Sequence, residues 1–100
     1  MNINALMQQA QKMQKDMEKA QKQLESTLFE VESAGGAIKI SIYGSRKIEK
    51  IDIDKDAIDP EDKEMLEDML KIAINEAMEK IANEQAKIQA KMTSGLRMPF

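Results

Sequence analysis

Between Leu6 and Leu24 the apolar residues stand at Leu6, Ala10, Met13, Met17, Ala20 and Leu24, in steps of 4, 3, 4, 3 and 4. That alternation is the narrow seam of a coiled coil; a helix lying on a broad core carries a wider apolar face. The segment "LMQQAQKMQKDMEKAQKQL" has no Gly, no Pro, no β-branched and no aromatic residue, and it holds six Gln, four Lys and three Met. These are good helix formers. A helix from about Ile3 to Thr27 follows, making residues 1–27 an arm that can bury only a strip wide enough for one partner helix.

The composition then changes abruptly. "LFEVES" reads as a strand with Phe29 and Val31 on one face, and "AGGA" as a turn. "AIKISIY" alternates strictly, with Ile38, Ile40 and Ile42 pointing one way and Lys39, Ser41 and Tyr43 the other. "GS" at 44–45 fits a two-residue hairpin loop with Gly first. In "RKIEKIDID" Ile51 and Ile53 share a face but Ile48 is out of phase, which predicts a bulge or an irregular start near Arg46–Glu49. Residues 28–53 are therefore an antiparallel three-stranded meander. Asp59 as N-cap, Pro60 at the first helical position and acids in the first turn predict a long helix over 59–92. Its first half is broadly apolar and suits a sheet. Its second half narrows to Met78, Ile81, Gln85, Ile88 and Met92, which suits a single helix. Residues 93–100 are expected to be a flexible tail. The fold class is α+β, ordered αβββα, in a single domain over 1–100.

At 1.5 Å per residue the helices should measure about 37 Å and about 50 Å. A compact chain of 100 residues has a radius of gyration of only about 13 Å. Both helices should therefore project from the body, the start of the first beside the end of the second. With aromatics at 3% and nine Met, the core must be aliphatic and thin, which favours association as a source of further burial.

The net charge of −3 is unevenly spread. Residues 1–24 sum to +2, residues 54–79 to −7 and residues 80–100 to +3, so the two arm segments are basic and the body acidic. On a heptad wheel Lys12 and Lys19 take c positions and Lys15 and Lys22 take f positions, forming one outward row about 15 Å long. Asp16 and Glu18 are spaced to neutralise it in part, through Lys12–Asp16 and Glu18–Lys22. Such a row is either a solvated helix face or a track for phosphates.

Other chemistry is thinly represented. There is no Cys and no His, which leaves metal sites and nucleophile–base pairs with little to work with. "DIDKDAIDPED" resembles a calcium loop, but Ala57 stands where Gly is needed and Lys63 where a bidentate Glu is needed. No cofactor, metal, small-molecule substrate or enzymatic activity is expected. Residues 1–20 contain no continuous apolar h-region, and no apolar run approaches the roughly 20 residues of a membrane span, so the expected setting is cytoplasmic with no membrane partner.

In order, "LMQQAQKMQKDMEKAQKQL", "SAGGAIKISIYGSRKIEKIDID", "DKEMLEDMLKIAINEAMEKI" and the ending "MPF" resemble the YbaB/EbfC family of bacterial nucleoid-associated proteins, over almost the whole chain. The resemblance implies a homodimeric, tweezer-like DNA-binding protein whose arms are its first and last helices, a nucleoid component that influences DNA compaction and transcription. The expected DNA contacts are Lys12, Lys15, Lys19 and Lys22, supported by Lys80, Lys87, Lys91 and Arg97. The expected dimer core is Phe29, Val31, Ile38, Ile40, Ile42, Ile51, Ile53, Leu66, Leu70 and Ile74. The alternative is a coiled-coil-armed adaptor or chaperone-like protein that grips polypeptides through the Met and Ala seam.

Overall fold

The computed structural model describes residues 2–94, with side chains described through Lys91. Helix α1 spans Ile3–Ser26. Asn2 caps it by accepting from the Ala5 amide at 3.4 Å. At the other end the Ser26 hydroxyl donates to the Lys22 carbonyl at 3.1 Å, and the Thr27 hydroxyl donates to the Gln23 carbonyl. The carbonyls orphaned by the helix end are thereby satisfied, and the chain passes at Thr27 into extended backbone.

Strands β1 (Leu28–Ser33), β2 (Ile38–Tyr43) and β3 (Ile48–Ile53) form an antiparallel sheet in that order. Phe29 pairs with Ile42 and Val31 with Ile40; Ile51 and Ile53 pair with Ile40 and Ile38 across the second ladder. Directly opposed residues share a face, so one side of the sheet is apolar throughout. Ser41 pairs with Lys50 but Ile42 with Ile48, which leaves Glu49 as the extra residue of a bulge. The bulge returns Ile48 to the apolar face, resolving its misphasing in the sequence.

Gly44–Lys47 join β2 to β3, and the Tyr43–Lys47 pair closes a three-residue hairpin loop, Gly44–Arg46, where the sequence predicted two. The Arg46 amide donates to the Tyr43 carbonyl at 2.8 Å and the Tyr43 amide to the Lys47 carbonyl at 2.9 Å. Arg46, not Gly44, takes the left-handed conformation, at φ 73°, which costs a non-glycine residue about 1 kcal/mol. Gly44 is there for a different reason. A Cβ on it would collide with the Leu24 carbonyl of α1 and lie 2.8 Å from the Leu24 Cγ. Its amide donates to the Thr27 carbonyl at 3.0 Å. The hairpin tip is thus fastened to the root of the arm.

Helix α2 spans Lys63–Ser94 and so begins later than Asp59. Asp59, Pro60, Glu61 and Asp62 form a turn instead, closed by the Asp62 amide on the Asp59 carbonyl at 2.9 Å, while the Asp59 carboxylate accepts from the Glu61 amide at 3.0 Å. Asp at the first turn position and Pro at the second are as favourable for a β-turn as for a helix start, which is why the sequence was ambiguous. The cap is Asp62, whose carboxylate accepts from the Met65 amide at 3.2 Å. Asp62→Ala should therefore cost about 1 kcal/mol in chemical denaturation, and Asp59→Ala clearly less. Equal losses would place the cap at Asp59.

The core is where β2 meets α2. Ile38, Ile40 and Ile42 are buried against Ala73, Ala77 and Ile81, with Phe29, Val31, Ile48, Met69, Leu70, Ile74 and Met78 packed around them. The alanines, four apart, let the helix approach closely. Each isoleucine side chain contributes about 2 kcal/mol by leaving water. Helix α2 lies over β1 and β2 and barely touches β3. Beyond the sheet, α2 continues beside α1, where Gln14, Met17 and Gln21 face Gln85 and Ile88 across an open groove. The molecule measures 71 × 27 × 16 Å with a radius of gyration of 19.8 Å, so the helices project from the body as their lengths required.

Two expectations are modified. The seam of α1 is covered only at Met13, Ala20 and Leu24; Ile3 is 68%, Leu6 48% and Met17 43% exposed. The residues expected in a dimer core also divide. Ile38, Ile40 and Ile42 are fully buried within one chain. Phe29, Val31, Ile53, Leu66, Leu70 and Ile74 are half-buried, and Ile51 is exposed. The first three are consumed by the chain's own helix because α2 sits directly on β2. The tail expected over 93–100 lies, from residue 95 onward, outside the described residues, and so does Arg97.

Candidate nucleic-acid interface

Lys12, Lys15, Lys19 and Lys22 are all exposed on α1, on the side away from the covered seam residues Met13, Ala20 and Leu24. Three of them, Lys15, Lys19 and Lys22, line one open concavity of about 450 Å³ with Glu18, Gln23 and Ser26. The partial neutralisation that the spacing predicted does not occur. None of the four lysines makes an ion pair or side-chain hydrogen bond among the described residues. An exposed pair of long side chains gains little over solvent, and in Lys12–Asp16 the order along the helix is the unfavourable one. The glutamines between them add hydrogen-bonding groups without charge.

Helix α2 treats its lysines differently. Lys80 and Lys87 bracket the half-buried Glu84, at 3.3 Å and 3.2 Å. Hydrogen bonds from Lys87 and then Lys80 hold the Glu84 carboxyl below the usual carboxylate range. The Lys80 ammonium also stands 6.0 Å from the centre of the Phe29 ring. Lys71 pairs with Asp68 at 3.9 Å and Lys63 with Glu67 at 4.0 Å. Of the four supporting cations named from the sequence, Lys80 and Lys87 are therefore engaged within the chain, Lys91 is exposed, and Arg97 lies outside the described residues. Among the described lysines of the two helices, those of the α1 row are the ones left without a partner.

The sequence reading passed over Arg46 and Lys47. Both are exposed at the hairpin tip, with side chains that have no partner among the described residues. The signal was an adjacent pair of cations in a turn. Among the described residues no group of His, Cys, Asp and Glu could hold a metal ion, and no helix is long and apolar enough to cross a membrane.

The chain is 51% identical over 96 residues to a nucleoid-associated protein of Ruminiclostridium cellulolyticum, covering 95% of this chain and 83% of the relative. It is 44% identical over 99 residues to one of Clostridium novyi, covering 99% and 87%. It is 43% identical over 100 residues to one of Mycoplasmopsis pulmonis, covering 100% and 97%. A crystal structure of an uncharacterized protein from Helicobacter pylori shares the fold at a TM-score of 0.74 and 22% identity, over 93% of this chain and 98% of that one. The model of the YbaB/EbfC DNA-binding family matches residues 1–96; with the αβββα fold and near full-length relatives, that match makes the chain a member of this family.

Proposed function

We propose that the protein is a non-enzymatic, nucleoid-associated homodimer that binds duplex DNA with weak or no sequence preference, through phosphate contacts from the lysine row of α1. The observation that carries this reading is the contrast between helices: Lys63, Lys71, Lys80 and Lys87 of α2 are matched to acids, whereas Lys12, Lys15, Lys19 and Lys22 are not. Cations left free along about 15 Å of a projecting helix release counterions when they meet phosphates, a contribution that does not depend on sequence. The acidic stretch from Asp52 to Asp68 would stay away from the DNA and help orient the arms. A role in organising the nucleoid, and through it in transcription, follows from binding of this kind.

The dimer is supported by apolar surface that one chain leaves bare. Because α2 covers β1 and β2, Ile51 remains 39% exposed on the apolar face of β3; Met65 and Ile72 of α2 are 41% and 50% exposed. A second copy related by a twofold axis can cover such surfaces reciprocally, and a core this thin benefits from the added burial. Ile51→Asp should shift the protein from dimer to monomer in sedimentation at micromolar concentration; a dimer unaffected by that charge would remove β3 from the interface.

The deciding experiment is binding of the wild-type protein to several unrelated duplexes across a salt series. If four phosphates are neutralised per arm, each arm contributes a slope of about 3.6 in log affinity against log salt. Binding that is flat in salt sinks the proposal. Binding of polypeptides instead, insensitive to salt and lost on changing the 43%-exposed Met17, would put the adaptor reading in its place.

A further inference from the structure

We infer that Arg46, at the tip of the β2–β3 hairpin, is a second phosphate contact for duplex DNA, placed at the root of the arm. The inference rests on the DNA reading of the α1 row and adds a residue outside the helices. In a three-residue hairpin loop the left-handed position is ordinarily glycine. Here an arginine holds φ 73° at that position. Its side chain is exposed and has no hydrogen-bond or ion-pair partner among the described residues, so packing within the chain does not account for it. A strained backbone kept under an unengaged functional group points to use of that group. Ala34, the other non-glycine residue with positive φ, carries no such group and belongs to a run of left-handed residues with Gly35 and Gly36.

The chemistry and the position fit. A guanidinium forks onto a phosphate through two parallel hydrogen bonds, and it stays charged at any working pH. Lys47 beside it adds a second exposed cation. Glu49, the nearest acid along β3, accepts from the Tyr43 hydroxyl at 3.4 Å and does not pair with Arg46. The tip is held against the arm: Gly44, two residues before Arg46, bonds through its amide to the Thr27 carbonyl at 3.0 Å, less than two turns beyond Lys22. DNA engaged by the lysine row near Lys22 would run on past the hairpin.

Arg46→Gly is an informative variant because it removes the cation while relieving the left-handed backbone. The expected result is a melting temperature equal to or above the parent's, with affinity for unrelated duplexes several-fold lower. The salt slope should be shallower by about 0.9 for each protomer's lost contact, and Arg46→Lys should recover part of the affinity. If Arg46→Gly keeps the parent's affinity and slope while removal of the α1 lysines abolishes binding, Arg46 is no contact and the α1 reading stands. If the wild-type protein shows no salt-dependent binding, both fall. Should Arg46→Gly melt below the parent, Arg46→Asn, which also tolerates the left-handed region, takes its place, and unchanged affinity and slope there overturn the inference equally.

Discussion

Lys12, Lys15, Lys19 and Lys22 replaced together by Gln should weaken binding to duplex DNA by at least about 100-fold at moderate salt and remove most of its salt dependence. Glutamine has nearly the helix propensity of lysine, and none of the four lysines supports another side chain among the described residues. The variant should therefore fold, pair and melt as the parent does. For a dimer contributing both arms, eight phosphate contacts correspond to about four decades of affinity between 50 mM and 200 mM salt, so a partial loss would still be plain. The matching change on α2, Lys80 and Lys87 to Gln, should behave in the opposite way. It leaves Glu84 without its two partners and should reduce stability more than affinity. Equal effects of the two sets on binding would mean that the ion pairs to Glu84 open on DNA. An α1 quadruple variant that folds and still binds as the parent does would refute the assignment.

Gly44→Ala is expected to cost about 3 kcal/mol of stability, a large effect for a single methyl group. The methyl would have to occupy space held by the Leu24 backbone and its Cγ, and backbone at the end of a helix packed on a sheet has little room to give. Either the hairpin bond from Gly44 to Thr27 breaks or α1 swings away, uncovering Leu24, which is buried in the parent. Chemical denaturation at matched protomer concentration measures the loss, since the stability of the proposed dimer would depend on concentration. A loss below about 0.5 kcal/mol would mean that the arm root is looser than its geometry implies. Gly36→Ala is a useful contrast: a Cβ there meets only the Glu32 carboxylate, at 3.9 Å, so its cost should come from the left-handed φ of 91° alone.

Much of the architecture was legible in local pattern. The steps of three and four in α1, the alternation of Ile38, Ile40 and Ile42, and the phase slip at Ile48 are all periodicities, and periodicity reports which side of an element is dry. The slip led to the bulge at Glu49. Turn chemistry was less legible, because one residue serves several ends. Asp59–Pro60 reads as a helix start and folds as a turn; Gly44 reads as a turn glycine and serves close packing. At Asp59–Pro60 the same residues favour a turn and a helix start alike; at Gly44 the close approach of Leu24, distant in sequence, decides.

The same division holds for the candidate site. The sequence by itself determined that the arm helices exist, that each is narrow-seamed, and that the lysines of α1 form one outward row, because spacing at 3.6 residues per turn fixes those relations without reference to the rest of the chain. Whether a lysine is free depends on which acids reach it, and that is a matter of rotamers and of neighbouring elements. Lys80 and Lys87 stand four and three residues from Glu84, as helical spacing allows; the structure closes those pairs and leaves Lys12–Asp16 and Glu18–Lys22, at comparable spacing, open. Only the tertiary structure laid α2 over β1 and β2, so that Ile38, Ile40 and Ile42 close the chain's own core and Ile51 on β3 is left exposed. Side-chain periodicity names a face; what covers that face, or leaves it open, is decided by where the other elements pack.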